Sequence, residues 1–226
     1  MIFRRLRSKF RSMLSRSKKM SREQAVQLVD ELIRLGYMKF ADQRMHDDLR
    51  NQLIDTVRNG YLGTELDDRC AGLDRRQYHA DNEWLAEGAI AECIEQLEDV
   101  FRQERVQLTE VVDHFGQDRY EVSINGERHL IYTQRYVERS SDLNYGADVW
   151  TVAAMRTLEI INMLFERAGS SERAFMFSGG NDGTLWVLTE EIYRVYLERS
   201  NIPAGPHYFQ TAQEIRSQLT STYFDV

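Results

Sequence analysis

The first segment with a clear period runs from Ser21 to Gly36. Val26, Val29, Leu32 and Ile33 recur at helical spacing, Ser21 and Gln24 are placed as a capping box, and Gly36 stands where a helix would end. Met45, Leu49, Leu53 and Val57 at intervals of four predict a second helix over about 41–59, closed by Gly60. Thr64 and Asp67 have the spacing of a cap for a short third helix. A fourth, over about 82–104, follows Asp81 and aligns Ile90, Ile94, Leu97 and Phe101.

After Arg105 the period changes from helical to alternating. A strand is expected at about 107–115, and Tyr120, Val122 and Ile124 then alternate up to Asn125-Gly126, a dipeptide that accepts both positive φ values of a type I′ hairpin turn. Counting back across a two-residue turn sets Tyr120 opposite Ile131 and Val122 opposite His129, which puts His129 on the apolar face. A long helix is predicted at about 147–168, with Trp150, Ala154, Leu158, Ile161 and Phe165 on one stripe before Gly169. Residues 173–189 read as strand, turn and strand, with Gly179-Gly180-Asn181-Asp182-Gly183 in the turn. Thr189 opens a helix carrying Ile192, Val195 and Tyr196, and Thr211 with Glu214 opens a last one carrying Ile215 and Leu219. This order predicts an α+β protein: an N-terminal helical layer followed by an antiparallel sheet of about five strands with helices packed on one face. Residues 1–20 form a basic amphipathic or disordered tail, 21–104 a helical region and 105–226 an α+β region, the last two packed as one globular unit.

Charge changes the picture at one end of the chain. Residues 1–19 hold eight Arg or Lys and no acid, so the net −7 of the 226 residues becomes −15 over the remainder. Such a body does not suit nucleic acid, whose phosphates need clustered positive charge, and favours a basic protein partner. Phe3, Leu6 and Phe10 fall on one helical stripe opposite Arg4, Arg5, Arg7 and Arg11, a composition that would also suit an anionic membrane surface. Two cysteines, no secretory signal and no long apolar run point to the cytoplasm. Membrane-peripheral placement through residues 1–19 stays open, as does mitochondrial targeting in a eukaryotic host.

Candidate chemistry is sparse. The Gly179–Gly183 run lacks the following helix that a phosphate loop requires, because Leu185-Trp186-Val187-Leu188 reads as a strand. His46, His79, His114, His129 and His207 are scattered without a metal-binding spacing, and Cys70 and Cys93 carry no nucleophile signature. The paired acids Asp47-Asp48, Asp67-Asp68 and Glu190-Glu191 diverge on a helix, so adjacency alone makes no acid/base couple. Tyr132, Tyr136, Tyr145 and Trp150 could cluster at an interface, with packing of the sheet as the default. The sequence therefore leads to the expectation of a non-catalytic, cofactor-free protein-binding protein, such as an antitoxin or immunity protein that occludes a basic partner. Asn181, Asp182, Glu190 and Glu191 are its candidate contact residues. A membrane-peripheral adaptor anchored through Phe3, Arg4, Arg5, Leu6, Arg7, Phe10 and Arg11 is one alternative, and a hydrolase of unrecognised class is another.

Overall fold

The computed structural model describes residues 20–142, 147–178, 183–200 and 209–219. Ser21 accepts from Gln24 N while the Gln24 side chain accepts from Ser21 N, the reciprocal cap that starts α1 (Arg22–Arg34). The buried side of α1 is Ala25, Leu28, Val29 and Leu32. Val26 and Ile33 are only half-buried, because α1 packs against two other helices and its apolar stripe turns toward both. These are α2 (His46–Arg58), with Leu49, Leu53 and Val57 buried as the spacing requires, and α8 (Glu190–Arg199), capped by Thr189.

No helix follows Thr64. Asp67 accepts from Arg69 N and Ala71 N and pairs with Arg75 at 2.5 Å, so its carboxylate closes a turn. Short polar side chains that bond locally in this way compete with helix formation. The Thr64 hydroxyl accepts instead from Asp74 N.

Asp81 does cap a helix, but residues 82–104 form three short ones: α3 (Asn82–Ala86), α4 (Ile90–Glu95) and α5 (Glu98–Gln103). Gly88, at φ +97, breaks the first from the second in the left-handed conformation that glycine alone adopts without strain. Ile90, Ile94, Leu97 and Phe101 are all buried, so the apolar alignment survives the breaks.

The hairpin forms at Asn125-Gly126, with φ values of 51 and 82. It joins β3 (Arg119–Ile124) to β4 (Glu127–Thr133), and β2 (Val111–Phe115) pairs antiparallel on the other side of β3. Val122 lies opposite His129 as expected, and His129 is half-buried. Tyr120, however, faces Tyr132, because a bulge between Tyr120 and Glu121 leaves Ile131 out of register.

Of the remaining elements, α6 (Gln134–Asp142) precedes the long α7 (Ala147–Arg167), whose Ala154, Leu158, Ile161 and Phe165 are buried. Then come β5 (Glu172–Ser178), β6 (Gly183–Thr189), β7 (Phe209–Gln210) and α9 (Ala212–Gln218), the last opened by the Thr211/Glu214 capping box. With β1 (Gln77–His79), the strands make two sheets instead of one, ordered β1-β6-β5-β7 and β2-β3-β4. The architecture is α+β. No helix of the described residues is long and apolar enough to cross a membrane.

Two compact units are distinguishable: residues 1–77 with 187–206, and residues 78–186 with 207–226. The first is organised around a buried arginine. Arg76 donates from Nε to Tyr37 O at 2.8 Å, from Nη1 to Val187 O at 2.9 Å and from Nη2 to Gly36 O at 2.7 Å, and its guanidinium lies 4.3 Å from the Phe40 ring centre. Asp74 beside it accepts from Tyr37 Oη at 2.8 Å and from Arg76 N at 3.0 Å. Burial pushes the Asp74 carboxyl above its ordinary pKa, against the opposing pull of those donors and of the Arg76 charge. The network gives buried polar groups partners that would otherwise cost several kcal/mol. It ties residues 74–76 to the turn after α1 and to Val187 of β6.

Candidate functional site

In the second unit the three strands of the hairpin sheet each contribute one aromatic residue to a single row. Phe115 of β2 faces Tyr120 of β3, which faces Tyr132 of β4. Their rings meet edge to face with centroids 5.4 Å and 5.6 Å apart, the arrangement that the ring quadrupole favours.

Each member of the row also touches the corner between α3 and α4. Phe115 lies against Gly88, Tyr120 Oη accepts from Ile90 N at 3.1 Å, and Tyr132 Oη donates to Ala86 O. Asp113 completes the joint, accepting from Tyr120 Oη at 2.5 Å and from Ala91 N at 3.0 Å. Burial raises the Asp113 pKa above the usual carboxylate range, although the Tyr120 and backbone donors favour the ionised form. Burial, with the Glu87 charge second, also pushes the Tyr132 hydroxyl up to about 12.

Tyr120 is wholly buried, whereas Phe115, at the edge strand, is 58% exposed. Residues 113–119 with Glu121 line an open depression of about 500 Å³ around it.

Phe115 belongs to an acidic stretch of the sequence. Between Arg76 and Arg119 there are eleven carboxylates and two cations, Arg102 and Arg105. Glu83 and Glu87 on the α3 side and Glu92 and Glu95 on α4 are exposed, as are Glu98, Glu110 and Asp118. Among the described residues, Glu83, Glu87, Glu92 and Glu95 have no ion-pair partner. Other acids pair with arginines: Asp30 with Arg50, Asp42 with Arg44, Glu159 with Arg156 and Arg216, Glu127 with Arg167, Glu31 with Arg199, and within the stretch Glu98 and Asp99 with Arg102. Among the described residues, exposed carboxylates without an ion pair thus lie on α3, on α4 and at Glu87 beside the Gly88 that Phe115 covers, as they also do at Asp47 and Asp48 of α2 and at Glu190 and Glu191 of α8.

On the opposite face of the sheet His114 Nε2 lies 2.7 Å from Ser123 Oγ. Ser123 is 8% exposed and sits mid-strand between two paired neighbours, so its flanking N–H groups belong to the ladder and offer no oxyanion site. Glu121, opposite His114 in the register, is held by Arg119 and Arg128. The arrangement reads as a cross-strand hydrogen bond between ion pairs. No group of three or more His, Cys, Asp or Glu that could hold a metal ion occurs among the described residues. Cys93 is buried, and burial pushes its thiol up to about 12.

Glu190 and Glu191 lie exposed in the first turn of α8, where negative charge favours a helix N-terminus. That helix belongs to the first unit, so these two acids do not join the acidic face of α3 and α4. Asn181 and Asp182 lie outside the described residues, as do Phe3, Arg4, Arg5, Leu6, Arg7, Phe10, Arg11, Tyr145 and His207. Tyr136 is buried and Trp150 half-buried, so of the expected aromatic cluster only Tyr132 belongs to the row.

The row itself was missed by sequence reasoning. Its one legible trace is that Phe115 and Tyr120 stand symmetrically across the turn at 116–119. Comparison with known proteins finds no family model, no curated protein and no solved structure that matches the chain.

Proposed function

We propose that this is a non-catalytic protein-binding protein that receives a basic segment of its partner on the glutamate face of α3 and α4 beside Phe115. The observation that carries this reading is the exposed end of the aromatic row at Phe115, which lies on Gly88 beside the exposed, unpaired Glu87. An aromatic face flanked by carboxylates attracts an arginine by stacking and by charge together, and the unpaired field speeds encounter. An antitoxin or immunity protein that occludes a basic toxin is one concrete form of such an activity.

The support for a membrane-peripheral adaptor remains the sequence of residues 1–19, and that for a hydrolase the scattered His and Asp residues. Neither gains a geometric feature among the described residues.

The test uses the full chain and fluorescein-labelled octa-arginine as the probe, read by anisotropy. Binding should weaken steeply with salt and be lost in the quadruple variant Glu83→Gln, Glu87→Gln, Glu92→Gln, Glu95→Gln. An equal charge change elsewhere, Asp47→Asn, Asp48→Asn, Glu190→Gln, Glu191→Gln, should leave most of it. Equal losses in the two variants would mean that only net charge is being read, and the proposed face would have no special role.

A further inference from the structure

We infer that the basic segment is received as an added strand on the free edge of β2, bonded through its backbone to Val111, Asp113 and Phe115. The inference rests on the reading of Phe115 as the anchor for such a segment and names the way the segment is held. β2 is the outer strand of the sheet β2-β3-β4. At its two ends Asn125 N donates to Glu110 O at 2.9 Å and Gly116 N donates to Arg119 O at 3.1 Å. Residues 110 and 116 therefore belong to the hydrogen-bonded pairs of the ladder, and by antiparallel alternation so do Val112 and His114, opposite Ser123 and Glu121. The N–H and C=O groups of Val111, Asp113 and Phe115 point the other way. Among the described residues nothing bonds them on that side.

Edges of this kind are ordinarily blunted by lysine, proline or a bulge, because a row of unpaired donors and acceptors is a template for another strand. β2 carries no lysine or proline, and its register with β3 runs without a shift. Its one carboxylate, Asp113, is turned onto α4, where it accepts from Tyr120 Oη at 2.5 Å and from Ala91 N at 3.0 Å. Two apolar side chains stand in solvent instead, one on each face of the sheet: Phe115 is 58% exposed and Val112 38%.

The occupant is argued from charge. Glu110 precedes the strand, Asp118 lies in the turn that follows it and lines the depression around Phe115, and Glu87 precedes the Gly88 that Phe115 covers. All three are exposed, and among the described residues none has an ion pair. An extended segment turns alternate side chains to opposite faces. One set then lies with Phe115 and suits arginine, which stacks on the ring. The other lies with Val112 and suits an apolar residue. A second copy of β2 fits less well. The outward groups are symmetric about Asp113, so an antiparallel pair of β2 strands would set Asp113 opposite its own copy, between chains of net charge −7 each.

The probe is a fluorescein-labelled heptapeptide of alternating arginine and valine, offered to the full chain. Residue-resolved amide exchange should slow at least about tenfold at Val111, Asp113 and Phe115 when the peptide is bound. It should change little at Val112 and His114, whose N–H groups are already in the ladder. Val111→Pro removes one outward N–H and none of the ladder, so the variant should fold, and peptide affinity read by anisotropy should drop about tenfold. Val111→Thr keeps the N–H and the β-branched shape and should bind as the wild type does.

Bound peptide that leaves the three outward amides exchanging as before overturns the inference. So does wild-type affinity in Val111→Pro, or a loss in Val111→Thr as large as that in Val111→Pro. Protection of the same three amides without peptide, together with a dimer in sedimentation velocity, would give the edge to a second copy and also overturn it. Octa-arginine bound by a chain whose β2 edge takes no strand would remove strand addition and leave the protein-binding reading standing; failure of octa-arginine and heptapeptide alike would remove both.

Discussion

The ring of Phe115 lies over Gly88 so closely that a methyl group built on the glycine would stand 3.2 Å from Phe115 Cβ. Gly88 also holds φ +97, a conformation that costs an L-residue about 1–2 kcal/mol. Both effects oppose a side chain there. Gly88→Ala should lower the urea midpoint by at least the backbone cost and displace Phe115, so that octa-arginine binding falls with it. Unchanged stability would mean that the corner relaxes freely and does not fix the aromatic row.

Phe115→Ala separates folding from binding. More than half of the ring is in solvent, and its stacking on Tyr120 contributes about 1 kcal/mol, so the variant should fold with a small loss of stability. Binding of octa-arginine, by contrast, should weaken about tenfold, as for an aromatic anchor at the centre of a contact. A large loss of stability with intact affinity would reverse the assignment and make the ring a packing residue.

Arg76 should be the least replaceable residue of the first unit. Arg76→Met leaves two buried carbonyls, the half-buried Gly36 O and the Asp74 carboxylate without their cation, a change that typically costs about 3–5 kcal/mol. Arg76→Lys should not rescue it, because one ammonium cannot reproduce a planar fork aimed at Tyr37 O, Val187 O and Gly36 O. Chemical denaturation of the two variants checks both statements. Wild-type stability in Arg76→Lys would show that charge alone suffices.

Asp113 gives the joint between the sheet and α4 a pH dependence. Its folded pKa is raised, so the stability tied to its protonated form is complete below the unfolded carboxylate pKa of about 3.9 and is lost as pH rises through the folded value. Asp113→Asn stays neutral at every pH and keeps an acceptor for Ala91 N. Relative to the wild type, the variant should therefore gain stability as pH climbs from the acid range toward neutrality, read from urea midpoints at a series of pH values. A gap between variant and wild type that does not vary with pH would mean that the Tyr120 and Ala91 donors offset burial.

Much of the local structure was legible because its causes are local. The Ser21/Gln24 and Thr211/Glu214 boxes, the cap at Asp81, the turn at Asn125-Gly126 and the stop at Gly36 each depend on residues within a few positions of one another. Nearby residues also misled where one side chain had two uses. Asp67 suits a helix start and a tight turn equally, and the turn prevailed once Arg75 and Ala71 came within reach of its carboxylate.

The candidate site was not legible, since its parts come from α3, α4 and three strands, and no short window holds them. Alternation along β3 and β4 placed Tyr120 opposite Ile131. The bulge puts Tyr132 in that position, and there Tyr132 reaches Ala86 O while Tyr120 receives Ile90 N, contacts from another part of the chain that alternation does not encode. Residue type and spacing by themselves determined most of the helices, the hairpin turn, the basic first nineteen residues and the acidic balance of the rest, but neither the absence of a helix after Thr64 nor the breaks within 82–104. Which carboxylates stay unpaired, and which ring is left in solvent beside them, was decided only when packing brought arginines to Asp30, Asp42, Glu127 and Glu159 and none to Glu83, Glu87, Glu92 or Glu95 among the described residues. Charge is fixed by composition, but its neutralisation depends on distances that only the folded chain sets.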